Sequence, residues 1–192
     1  MWWQETTWRR ALAGLSMGVL MAGGAQAAFD FDGTKTVLAV AADGKQTAIA
    51  TVQFAKAAGG KSSFKVDLKP EVMTDYFLSM REFKCLPANK EITCYVRYPY
   101  KTPDTVGAGD LAWLEHHLLF LYKTPAEFGA KLWNGVYFEL HEEGNRLVGT
   151  PQAIDLNEIS SPPEDLSVPP YGKTQRHEIP DGARWIRQIV IE

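Results

Sequence analysis

The chain has 192 residues, 45% of them hydrophobic, and a formal net charge of −3. That is enough apolar material for one domain of ordinary size with a real core. A mildly acidic balance with no basic run argues against nucleic acid as a partner.

Residues 1–27 read as a secretory signal peptide. Arg9-Arg10 form a charged end, an apolar run too short to span a bilayer follows, and Ala25-Gln26-Ala27 is a small-x-small cleavage site. The arginine pair hints at twin-arginine export, but Trp8 stands where that signal carries Ser or Thr, which favours ordinary secretion. The expectation is a periplasmic or secreted protein cut after Ala27, with 28–192 forming a single β-rich domain. No later segment is long and apolar enough for a membrane-spanning helix, so the processed chain is not expected to be an integral membrane protein. Cys85 and Cys94 are the two cysteines, and in an exported chain a lone pair most often forms a disulfide.

In chain order, strands are expected at 36–42 and 46–55, joined at Asp43-Gly44 by a type I′ turn. A three-residue loop at Ala58-Gly59-Gly60 would set Phe54 opposite Phe64, Val52 opposite Val66 and Ala50 opposite Leu68. Residues 70–75 are ambiguous, and 76–80 fit strand or helix. From Arg81 onward, a turn at Asn89-Lys90 or a loop over 88–91 places Cys85 opposite Cys94, Phe83 opposite Val96 and Glu82 opposite Arg97.

Residues 110–133 carry the helical signal. Asp110 is a candidate N-cap. Leu111, Trp113, Leu114, His117, Leu118, Phe120 and Leu121 share one apolar face, leaving Glu115, His116 and Lys123 on the wet side. Thr124-Pro125-Ala126-Glu127 has the form of a capping box for a second helix ending at Asn134-Gly135. A hairpin at 136–142 and 146–154 follows, turning at Gly144-Asn145. The Pro-rich loop 157–183 has little periodicity, and 185–191 reads as a well-covered closing strand. The fold class this predicts is α+β: a mostly antiparallel curved sheet or partly closed β-barrel of seven or eight strands, with an inserted helical pair.

Asp30-Phe31-Asp32-Gly33-Thr34 resembles the first motif of haloacid-dehalogenase-type phosphatases, and Gly109-Asp110 with Glu115 resembles that family's late acidic motif. The resemblance implies Asp30 as nucleophile and Asp32 as general acid. In that family the first motif ends a buried parallel strand. Here it follows the cleavage site by two residues, and no alternation of strands and helices comes after it. The leading expectation is therefore an exported, non-enzymatic binding or interaction domain of the cell envelope, with an apolar small molecule or another envelope protein as partner. A phosphatase-like hydrolase and a structural envelope component are the alternatives. Trp113, His117, Trp133 and Tyr171 are the candidate ligand or partner residues: three surround the helices, and Tyr171 is an apolar anchor of the Pro-rich loop. No cofactor and no metal site is implied.

Overall fold

The structure, a computed structural model, describes residues 1–2, 28–78 and 81–192. Residues 3–27, which carry the signal-peptide reading, lie outside them. The described elements are β1 (Gly33–Ala41), β2 (Gln46–Lys56), β3 (Ser62–Leu68), β4 (Thr74–Leu78), β5 (Arg81–Pro87), β6 (Ile92–Val96), β7 (Thr105–Val106), α1 (Ala112–His116), β8 (Leu119–Lys123), β9 (Gly135–Glu143), β10 (Arg146–Ile154), β11 (His177–Glu178) and β12 (Ile186–Ile191). All twelve strands belong to one antiparallel sheet, in the order β4-β5-β6-β8-β9-β10-β12-β1-β2-β3-β7, with β11 added on β10. The path has two free ends, so the sheet is open.

The expected α+β architecture with a helical pair does not form. Only five residues, Ala112–His116, are α-helical among the described residues; the remaining helical pieces are short 3₁₀ turns. Residues 119–123 are instead β8, paired to β6 on one side and β9 on the other. A strand covered on both faces has no polar alternation, so Leu118-Leu119-Phe120-Leu121 reads as a helix interior just as well. The capping box forms in part, without a helix behind it. Glu127 accepts from the Thr124 amide at 2.7 Å and hydroxyl at 3.2 Å, closing a turn rather than starting a helix. Asp110 caps nothing and pairs with Lys61.

Several of the expected registers hold. Phe54, Val52 and Ala50 face Phe64, Val66 and Leu68. Glu143 faces Arg146 across the β9–β10 turn, with an ion pair at 2.6 Å. Cys85 faces Cys94 and is bonded to it, S–S 2.03 Å. The first hairpin differs: Gly44 has φ +82° but Asp43 is not left-handed, and Ala41 accepts from the Gly44 amide, so the turn is longer than a two-residue I′.

The core lies on one face of the sheet. Leu147, Ile191, Val37, Ala50 and Leu68 are registered neighbours across β10, β12, β1, β2 and β3. The first four are fully buried, and each such side chain contributes on the order of 1.5–3 kcal/mol relative to exposure for the larger ones. In the next row Gly149 makes room for its neighbours: a Cβ there would sit 2.6 Å from the Ile189 side chain. The other face carries a small cluster of Val40, Val148 and Val190 with Leu38 against it. β3 and β4, consecutive in the chain, form opposite ends of the sheet apart from the two-residue β7. The short connection between them, with Met73 fully buried, brings those ends close.

Candidate functional site

Three consecutive residues at the end of α1 tie three parts of the molecule together. β8 pairs with β9 at Gly135 and Val136, and further along β9 it is Glu115 that meets the strand. Its Oε1 accepts from the Leu140 amide at 2.6 Å and its Oε2 from the Tyr137 hydroxyl. Burial pushes its carboxyl above the usual range, and the Tyr137, Leu140 and Arg176 donors and charge pull it back. Next, His116 is fully buried. Its Nε2 lies 3.1 Å from the Tyr171 amide, which can only donate, so the ring proton sits on Nδ1 and is given to the Ala112 carbonyl at 2.6 Å. Burial holds this histidine down to about 4. The Tyr171 ring stacks on it at 5.5 Å, while Tyr137 and Tyr98 meet it edge-on and Trp113 is tilted against it. Third, His117 points the other way. Its Nε2 contacts Asp104 at 3.1 Å and Thr102 at 2.9 Å, and its ring meets Phe64 edge-on.

The candidate residues of the sequence thus fall into separate places. Trp113 and Tyr171 come together, around His116 rather than His117. Trp133 is 64% exposed on the turn before β9. Glu115, His116 and Lys123, expected on the wet side, are buried. The wheel assigning them that side needs a helix running past His116, and the chain turns into β8 there. Asp30 and Asp32 of the phosphatase-like motif are exposed at the start of an antiparallel strand, and Asp32 accepts from the Gly33 amide. Among the described residues no group of three His, Cys, Asp or Glu side chains is placed to hold a metal ion. No helix among them is long and apolar enough to cross a membrane.

Among the described residues three clefts of ligand size stand out, and none of the four candidate residues lines any of them. The first, about 450 Å³, lies between α1 and β9 and is bordered by Asp110, Glu115, Glu139, His141 and Arg176. Its main charges are already engaged: Arg176 pairs with Glu139 at 3.2 Å and Glu115 is satisfied as above. The second, about 780 Å³, lies at the sheet end holding the β1–β2 and β5–β6 turns. There Arg184 lies 3.5 Å over the Tyr122 ring and 3.0 Å from Glu91.

The third is different in kind. The pairing of β5 with β6 ends at Cys85–Cys94. Beyond that pair the expected Phe83–Val96 and Glu82–Arg97 partnerships do not form, and the two strands diverge like a fork with the disulfide at its base. A cleft of about 560 Å³ opens there. Its walls include Phe83 from one prong, Tyr95 and Val96 from the other, Leu68 from the end of β3, and Leu132, Leu156 and Ile159 from the loops flanking β9 and β10. Tyr100 adds an aromatic wall and fixes the Ile159 loop by donating to its carbonyl at 3.1 Å. Sequence reasoning does not single out these residues: each prong has an unbroken strand pattern, and nothing local marks where two strands part. The chain matches no family model, no curated protein and no solved structure among those compared with it.

Proposed function

We propose that this is an exported, non-enzymatic binding domain of the cell envelope, and that its ligand is an apolar small molecule held in the fork between β5 and β6. The observation that carries the reading is the cleft itself: buried and half-buried apolar and aromatic side chains from five parts of the chain converge on a space of about 560 Å³. Small-molecule sites typically enclose roughly 300–1,000 Å³ and are lined mainly by such side chains. In the other two clefts, by contrast, the arginine is turned to a neighbouring carboxylate, Arg176 to Glu139 and Arg184 to Glu91. The envelope location rests on the order of features in residues 1–27 and agrees with the disulfide.

Native mass spectrometry of protein purified from the envelope is the direct test, with a bound apolar molecule as the expected result. Leu132→Arg places a charge in the cleft wall at a half-buried position. It is expected to abolish retention of the molecule, and displacement of an environment-sensitive apolar dye, while thermal unfolding stays close to that of the parent. A parent protein that carries no ligand and takes up no dye would refute the reading.

A further inference from the structure

Resting on that reading, we infer that the ligand is a single-chain anionic amphiphile: its chain lies in the apolar cleft and its carboxylate or phosphate head is held by Arg97. The charges around the mouth are unevenly engaged. On the β4–β5 side Lys84 is ion-paired with Asp75, and Glu82 lies in hydrogen-bonding reach of the same carboxylate. Among the side chains described there, two carboxylates surround one ammonium, and that ammonium is already paired.

The facing wall is the opposite. Arg97 is exposed, borders the cleft directly after Tyr95 and Val96, and forms no ion pair among the described residues. The cross-strand carboxylate that would neutralise it, Glu82, is carried away by the fork. A guanidinium offers five donors in a planar fork and grips carboxylate or phosphate through two of them. A free guanidinium at the rim of an apolar cavity selects a molecule with one anionic end and one apolar end. The bound head then neutralises a charge that the fold leaves unpaired.

Titration calorimetry of the 28–192 chain with dodecanoate, dodecyl phosphate, dodecanol and dodecyltrimethylammonium tests this. The four share a tail and differ in the head. The two anions are expected to bind at least tenfold more tightly than the alcohol and the cation, with a preference that weakens as salt rises. Arg97→Gln, an exposed substitution, is expected to remove the preference and keep the binding of dodecanol. A dominant dodecyl phosphate or dodecanoate identifies which head the site prefers, and either result supports the inference. Equal affinities for all four in the parent would overturn the anionic head while leaving the apolar cleft intact. A preference unchanged in Arg97→Gln would overturn the role of Arg97. Failure of all four to bind the parent would sink the cleft reading itself, and this inference with it.

Discussion

At the scale of single residues the molecule turns on Glu115 and His116, whose roles predict distinct responses. Glu115 accepts two hydrogen bonds from buried donors. Glu115→Gln can still accept from the Leu140 amide and donate to the Tyr137 oxygen, so it should change stability by about 1 kcal/mol or less. Glu115→Leu orphans both donors, each left unmade at about 1–3 kcal/mol, so urea unfolding should show a loss of about 2–6 kcal/mol. Similar losses for the two variants would mean that packing, not the hydrogen bonds, is what Glu115 supplies. His116 sets a pH dependence. Its imidazole falls from an ordinary 6.5 to about 4 in the fold, so between those values the unfolded chain binds the proton and the native one does not. Its contribution is whole above about pH 6.5 and is lost as pH falls towards 4, by about 3 kcal/mol at most. His117, also held down by burial, acts with the same sign. Glu115 and Glu91, both pushed up by burial, act against it, because their native forms take up protons first on acidification. Unfolding at pH 7 and pH 4.5 should therefore show a smaller difference in His116→Gln than in the parent.

At the scale of elements, legibility in the sequence followed the pattern of burial. β2 and β3 alternate apolar and polar residues and are joined by Ala58-Gly59-Gly60, so their register could be read pair by pair. β8 could not, because both its faces are buried and its length does not separate strand from helix. The disulfide was legible for the same reason as β2–β3: a turn within 88–91 leaves little choice of partner for Cys85. The fork beyond it was not, since divergence depends on what packs against each prong. This placement predicts a double effect. Closing so short a loop stabilises the fold by about 2–3 kcal/mol on the chain-entropy model. Because the bond also holds the base of the fork, Cys85→Ala with Cys94→Ala should lower the midpoint of thermal unfolding and weaken ligand binding together. Binding unchanged at a temperature where the variant is folded would show that the prongs hold their separation without the bond.

For the molecule as a whole, the antiparallel sheet and central closing strand were legible, since β12 is apolar on both faces and sits between β10 and β1. The connection between β10 and β12 was legible only as a long Pro-rich loop, because the contacts that order it are all distant in sequence. Leu156 and Ile159 are buried at its start and line the cleft, and Tyr171 is 2% exposed on His116. The Tyr171 hydroxyl donates to the Asp155 carbonyl at 3.1 Å, fastening the two ends of the excursion to each other. Between them Leu166 and Val168 stay exposed, at 45% and 55%. The loop thus has a structural base and a solvated tip, which different substitutions separate. Replacing residues 161–169 by a shorter Gly/Ser link leaves Ile159, Tyr171 and Asp155 in place, and should alter neither the stability nor the affinity for an apolar ligand by more than about 0.5–1 kcal/mol. Tyr171→Ala removes the stack and the fastening bond from a buried site, and should destabilise by about 3–5 kcal/mol. Hydrogen exchange at 155–176 should then rise in Tyr171→Ala well before exchange in β12 does, because the loop is released from the sheet while the core rows remain packed. Should the tip replacement abolish ligand binding in a protein that keeps its melting temperature, the exposed Leu166 and Val168 belong to the site, and the fork alone does not hold the ligand.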